Sequence, residues 1–118
     1  MRIEWLTHKG KRILFVVFDG TNTEEFAAQV EKYEKVVLAE PNQVLLITDF
    51  TKINPMPGSM KVLEESGKRV TRHKAERAAV LGVSGARNLF LTTYLLVTGQ
   101  KNVKTFNDKD DALEWLVS

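Results

Sequence analysis

A serine between two apolar stretches is the first candidate for chemistry in this sequence. Ser84 lies in Gly82-Val83-Ser84-Gly85, and a serine flanked by glycines is typical of the nucleophile turn of α/β hydrolases. That turn has the spacing G-x-S-x-G, whereas here the second glycine follows the serine directly. Both histidines also precede the serine, although the hydrolase fold places its histidine after it. We therefore predict that Ser84 caps the next helix through its hydroxyl, and that Gly82 and Gly85 let strand and helix approach closely.

The remaining polar residues do not have the spacing of a metal or phosphate site. His8 and His73 are 65 positions apart (73 − 8), and the chain contains no cysteine, so no metal-ligand motif is formed. The phosphate-loop pattern G-x-x-x-x-G-K-[ST] does not occur either. We expect no cofactor and no converging nucleophile and base, and we predict that the protein is not an enzyme.

Residues 61–77 form a basic stretch. It has six lysines and arginines against three glutamates, which gives a local charge of +3 (6 − 3). It contains no aromatic residue that could stack on a base, and this argues against nucleic acid as a partner. We interpret the stretch as the solvated end of a helix that leads into the next strand. The alternative is a surface that meets an acidic protein.

Length and composition predict one ordinary globular domain over residues 1–118. The 118 residues are 43% hydrophobic and 27% charged, enough for a single core without disulfides or metal. A net charge of +2 is too small to imply a polyanionic partner. The N-terminal residues lack the apolar core of a signal peptide, and the longest apolar stretch, residues 89–97, is too short to span a bilayer. We predict a cytoplasmic protein without a transmembrane segment.

Hydrophobic periodicity predicts the secondary structure. Alternating polarity over residues 3–7, a turn and an apolar stretch over 13–18 indicate a hairpin, and Phe26, Val30, Tyr33 and Val37 follow at helical spacing. Further strands are predicted at residues 44–47, 78–83 and 103–106. A weaker helix is predicted after the loop of residues 50–58, with Met60, Leu63, Gly67 and Val70 on its inner face, and further helices at 86–97 and 108–117. The order ββαβαβαβα predicts an α/β sandwich with a mixed, mostly parallel five-stranded sheet and about four helices.

The helix predicted over residues 86–97 has more apolar residues than one buried face requires. Leu91 and Leu95 are one turn apart and lie outside the stripe that would face the sheet. They are either buried under a neighbouring helix or left exposed for a partner. We predict that both residues contribute to a partner or homodimer surface.

Most of the chain, from the predicted hairpin to the closing Ala-Leu-Glu-Trp-Leu, resembles a known family. The stretch AVLGVSGARNLFLTTYLLVTGQKNVKTFNDKDDALEWLVS, together with VLLITDFTKI before it, resembles the SpoIIAA-like branch of the STAS and SEC14-like superfamily. The resemblance implies a small α/β domain that binds protein partners in signalling and catalyses no reaction. The SEC14 side of the superfamily implies an alternative, the transport or sensing of an apolar or lipid ligand. A chain of this length favours a groove at a dimer interface over a closed pocket for such a ligand.

The resemblance also draws attention to Ser59. In anti-sigma-factor antagonists a phosphorylatable serine opens the helix ten residues after the acidic residue of the central strand. Here Asp49 and Ser59 have that spacing, but the family sequence Asp-Ser-Ser-Gly is replaced by Pro-Gly-Ser-Met. We keep two hypotheses, an accessible phosphorylation site and a serine that only caps its helix.

Overall fold

The computed structural model of the protein describes residues 1–54, 56–82 and 102–118. The helix predicted over residues 86–97 lies outside these ranges. So do Ser84, Gly85, Leu91 and Leu95, and their predicted roles therefore stay predictions. None of the helices within the described ranges is long and apolar enough to cross a bilayer.

The chain begins with an antiparallel hairpin of two seven-residue strands, β1 (Arg2–His8) and β2 (Lys11–Val17). The two turn residues, Lys9 and Gly10, have φ angles of 50° and 81°. Positive φ at both central residues is the geometry of the type I′ turn, whose twist matches that of the flanking strands. The predicted hairpin is therefore present.

Within the described ranges, three more strands complete a five-stranded sheet: β3 (Val44–Asp49), β4 (Ala75–Leu81) and β5 (Val103–Phe106). The strand order is β1-β2-β3-β4-β5, and all neighbours after the hairpin pair in parallel. This confirms the predicted mixed, mostly parallel sheet. The fourth strand begins three residues before the predicted start, because the polar Glu76 and Arg77 lie at its start and hide it from an apolar pattern.

The first helix, α1 (Thr23–Leu38), begins where the sequence signals it. Asn22 is the N-cap, and its side-chain oxygen accepts a hydrogen bond from the Glu25 amide at 2.8 Å. The Glu25 carboxylate in turn accepts from the Thr21 amide at 2.8 Å. The predicted apolar stripe of α1 is buried against the sheet.

The second helical segment has three parts: α2 (Ser59–Ser66), a π-helical segment (Gly67–Thr71) and a short α3 (Arg72–Lys74). A sequence pattern of apolar residues cannot distinguish such a wide turn from ordinary α-helix. The last helix, α4 (Lys109–Leu116), is capped by Asp108, whose carboxylate accepts from the Asp111 amide at 2.9 Å.

The helices cover both faces of the sheet, so that two cores form. On one face α1 and α2 enclose an aromatic group in which Phe18 stacks on Phe50 at 5.2 Å and meets Phe26 edge-on at 5.6 Å. On the other face α4 packs through Ala112 and Leu116. Within the described residues the fold is the predicted α/β sandwich.

Candidate functional site

The candidate site lies where the parallel strands end. In α/β sheets this carboxyl edge is the usual place for binding. The segment that crosses it here is the β3–α2 loop, residues 50–58, of which the structure describes all but residue 55. Of the residues predicted from the sequence, Asp49, Ser59 and Gly82 lie at this edge, whereas Ser84 and Gly85 fall outside the described residues.

Asp49 sets the path of the chain as it leaves β3. Its Oδ1 atom accepts hydrogen bonds from the amide of Thr51 at 2.8 Å and from the hydroxyl of Thr51 at 2.5 Å. An aspartate that bonds to the backbone two residues later makes an Asx turn, which replaces the backbone bonding of a regular turn. Asp49 is thus occupied in holding the start of the loop.

Gly82 holds the same turn from the end of β4. It has a φ of 82°, and a Cβ atom at this position would overlap the backbone of Thr51. The amide of Phe50 also donates to the carbonyl of Leu81 at 2.9 Å. Glycine is required here both by the positive φ and by the close approach of the β3–α2 loop.

One side of the β3–α2 loop packs on the core, and the other side is exposed to solvent. Phe50 and Ile53 are buried in the aromatic core. At the far end the hydroxyl of Thr23, in the first turn of α1, donates to the carbonyl of Pro57 at 2.5 Å. Among the loop residues that the structure describes, five are exposed and form the outward side: Thr51, Lys52, Asn54, Pro57 and Gly58. The buried residues and the hydrogen bonds at the two ends of the loop fix the backbone that carries these exposed residues.

Ser59 is buried, and the expectation of an accessible serine is wrong. It is only 1% exposed, and its hydroxyl donates to the carbonyl of Met56 at 2.7 Å and accepts from the amide of Met56 at 3.2 Å. The N-cap of α2 is Gly58, which has a φ of 81° and no side chain to bond with. Ser59 is the first helical residue, so the hypothesis that it caps its helix is wrong as well. Its hydrogen bonds to Met56 close the loop instead.

Asp19, which follows β2 at the same edge, is also engaged within the molecule. Its carboxylate accepts from the amino group of Met1 at 2.8 Å and from the side-chain amide of Gln29 at 2.7 Å. The hydrogen bond from the amino group of Met1 has the largest effect in holding the pKa of Asp19 below its usual value, and the hydrogen bond from Gln29 has the second largest. An acid of lowered pKa with both oxygens occupied is poorly suited to serve as a general base.

The two histidines lie away from this edge. His8 contacts Glu114 at 2.9 Å, and His73 is exposed on α3. Across the three described ranges, no group of three or more histidine, aspartate or glutamate side chains is placed to hold a metal ion.

A cavity of about 40 Å³ lies beneath the site, between the sheet and α2. Most of its lining is apolar, but it includes two buried polar residues, Thr48 and Ser66, which are 9% and 3% exposed. Among the described residues neither hydroxyl has a hydrogen-bond partner. The hydroxyl pair of Tyr33 and Thr71, 2.7 Å apart, lies on the same lining.

Residues 13–117 match the model of the SpoIIAA-like family. The chain belongs to that family. The match runs from β2 to the last helix and confirms the resemblance inferred from the sequence. No curated protein matches the chain.

A SpoIIAA-like domain is a STAS-type regulatory domain, and the structure shows how this one builds its carboxyl edge. Asp49 and Ser59 mark the two ends of the β3–α2 loop, and Gly82 contacts its first turn. Sequence reasoning missed Thr48 and Ser66. The signal for Thr48 was available, because it is a single polar residue in the otherwise apolar body of β3.

Proposed function

We propose that this domain is a non-enzymatic regulatory module that binds a protein partner through the exposed side of the β3–α2 loop. The observation that carries the proposal is that both ends of the loop backbone are fixed by contacts within the molecule. Its start is fixed by Asp49 and Gly82, its end by Thr23, and its exposed residues face outward. A surface that is ordered before binding loses less conformational entropy on docking. We propose that the partner is met in the cytoplasm, the compartment that the sequence predicts.

A site-specific crosslinker tests the location of this surface. A photoreactive amino acid at Lys52, on the loop, is compared with one at Lys32, an exposed residue of α1. In the native cell we expect one protein to be captured from position 52 and not from position 32. Equal capture from both positions would contradict a docking surface on the loop.

The captured protein then allows a binding measurement with purified components. Asp49→Ala removes both hydrogen bonds that fix Thr51, and we expect the dissociation constant to rise by about tenfold. Glu24→Ala, at an exposed position of α1, is the control and should bind as the wild type does. An unchanged affinity in Asp49→Ala would show that the frame of the loop is irrelevant.

We further propose phosphorylation of Ser59 as the regulation of this surface. The hydroxyl is buried, so a kinase would reach it only after the two bonds to Met56 break. A phosphate adds about −1.5 to −2 charges and cannot return to a site with 1% exposure, so the loop would stay open. Phosphorylation would thus remove the docking surface.

The comparison of Ser59→Asp with Ser59→Ala tests this switch. We expect the aspartate to weaken partner binding by about tenfold relative to the alanine. Mass spectrometry of the protein from its native cell should find the phosphate on Ser59. Equal affinities together with an unmodified serine would leave Ser59 a structural residue.

Leu91 and Leu95 stay a second predicted partner or homodimer surface. If they are exposed, changing both to glutamate should abolish association and leave a folded monomer. Failure of that double variant to fold would assign both residues to the core.

The alternative function is the binding of a small apolar ligand. It is favoured by the buried hydroxyls of Thr48 and Ser66, because unpartnered polar groups in an apolar cavity are suited to a ligand or water that bonds to them. About 40 Å³ is too small for an acyl chain, so the ligand class would be a short alcohol or a similar amphipathic molecule.

A titration with 1-propanol, followed by NMR on the methyl groups of Ala78 and Val80 in the cavity lining, tests the alternative. We expect saturable shifts in the wild type and about tenfold weaker binding in Thr48→Val, which keeps the shape but removes the hydroxyl. Shifts that are linear in alcohol concentration would show that the cavity binds none.

A further inference from the structure

The outer edge of the hairpin offers a row of unpaired backbone groups. Within the described residues β1 pairs only with β2, in a one-to-one register from Arg2 to His8. A two-residue turn makes the pair that closes it, His8 with Lys11, a hydrogen-bonded pair, and such pairs alternate along the ladder. Ile3, Trp5 and Thr7 therefore direct their N–H and C=O groups away from β2.

This edge lacks the features that usually prevent strands from pairing. β1 contains no proline and no bulge, and Ile3, Trp5 and Leu6 in its central part are partly buried apolar side chains. Its one charged pair is closed within the strand, since the guanidinium of Arg2 contacts the Glu4 carboxylate at 2.7 Å. Together the two side chains present no net charge to another strand, although two copies of Glu4 placed directly opposite each other would still repel.

The strand is complementary to itself when it is reversed. With Trp5 opposite Trp5, Ile3 lies opposite Thr7, and all three outward-facing residues exchange both backbone hydrogen bonds. Aromatic and β-branched residues are the side chains that stabilise such cross-strand pairs. The neighbouring register toward the N-terminus places Glu4 opposite Glu4, which is repulsive. The opposite shift leaves Ile3 without a partner.

Trp5 is placed to serve as the centre of such a contact. It is partly buried, and the guanidinium of Arg12 lies 4.1 Å from the centre of its ring. Beside it is a groove of about 290 Å³ that continues toward Glu40 and Gln43. A partly buried tryptophan next to a groove is the kind of residue that dominates binding at protein interfaces.

We infer that β1 pairs antiparallel with β1 of a second copy of this chain, about a twofold axis at Trp5. The two sheets join into one continuous sheet of ten strands (5 + 5). A twofold axis is required because the same strand occupies both sides of the contact. The pairing leaves the β3–α2 loop unused, so it is independent of the proposed partner surface.

Sedimentation equilibrium of the full chain tests the inference. We expect the wild type to dimerise and Thr7→Pro to raise the dimer dissociation constant by about tenfold or more. Proline removes an N–H that points away from β2, so the hairpin keeps its own ladder. Thr7→Val keeps the N–H and a β-branched side chain, and it should dimerise as the wild type does. Thr7→Lys, which adds a charge to the edge, replaces the proline variant if that variant does not fold.

A mixed dimer of labelled and unlabelled chains gives the register directly. We expect a close contact between the Hα atoms of Glu4 in one copy and Leu6 in the other, because these residues form a non-hydrogen-bonded pair in this register. A wild type that stays monomeric would overturn the inference. So would a dimer without this contact, or one that only the Leu91 and Leu95 substitutions disrupt. Pairing of the edge with an added extended peptide but not with a second copy would overturn it as well.

Discussion

At the scale of single residues, Gly82 decides whether the carboxyl edge of the sheet can close. Its positive φ is strained for any other residue, and the backbone of Thr51 occupies the space of a side chain. Gly10 has nearly the same φ but open space around it. Substitution of Gly10 therefore measures the free-energy cost of backbone strain alone, and substitution of Gly82 measures that cost together with the overlap with Thr51.

We predict that Gly82→Ala destabilises the protein more than Gly10→Ala does. Gly10→Ala carries only the φ penalty of roughly 1–2 kcal/mol. Gly82→Ala adds the overlap with Thr51, and we expect a total loss of at least about 3 kcal/mol or failure to fold. Urea denaturation of both variants measures the difference. Equal losses would mean that the loop moves away from β4 without cost.

At the scale of secondary-structure elements, one ion pair fastens α1 to the π-helical segment. The guanidinium of Arg69 meets the carboxylate of Glu34 with contacts of 2.7 and 2.9 Å. These hydrogen bonds raise the pKa of Arg69. The partners are unequally exposed, since the Arg69 side chain is 58% exposed and the Glu34 side chain 10%. Replacing Arg69 and replacing Glu34 should therefore lower the free energy of unfolding by different amounts.

We predict that Arg69→Met is more destabilising than Glu34→Gln. The first leaves a buried carboxylate without its cation, and we expect a loss of roughly 2–3 kcal/mol. The second leaves a guanidinium that reaches water, and we expect a loss of roughly 1 kcal/mol. Lys68→Met, which breaks an exposed pair with Glu64, is the control and should cost less than about 0.5 kcal/mol. Thermal unfolding measures all three, and the reverse order would refute the argument.

The elements themselves differ in how well the sequence predicts them. The hairpin and α1 follow from local signals, namely polarity alternation, a Gly-containing turn and helical spacing after an N-cap. The π-helical segment does not, because its wide turn is stabilised by contacts with α1 that lie far away in sequence. The loop ends at Asp49 and Ser59 were predicted correctly, but the inward direction of the Ser59 hydroxyl was not. That direction depends on the path of the chain through Met56, which no spacing rule encodes.

At the scale of the whole molecule, a group of polar contacts joins the hairpin to α4. The Glu114 carboxylate in α4 contacts Lys9 at 2.7 Å and His8 at 2.9 Å, so the last helix is held to the first turn. Lys9, and after it His8, lowers the pKa of Glu114 below the ordinary value of 4.5. A carboxylate with a lower pKa in the folded state stabilises the fold above its unfolded pKa. That contribution disappears as the pH falls through the folded pKa.

The contact of Glu114 with Lys9 and His8 makes the stability of the fold depend on pH. We expect Glu114→Gln to be less stable than the wild type at pH 7, with the difference shrinking below about pH 4.5 and vanishing once Glu114 is protonated in both states. Asp19 titrates in the same acidic range, but it is present in both proteins and cancels in the comparison. Lys9→Met should flatten the profile, because it removes the main cause of the lowered pKa. Denaturant unfolding between pH 3 and pH 7, on a grid of about half a unit, measures the free energies of all three proteins. A stability difference between Glu114→Gln and the wild type that stays constant over this range would show that α4 and the hairpin are held together by apolar packing alone.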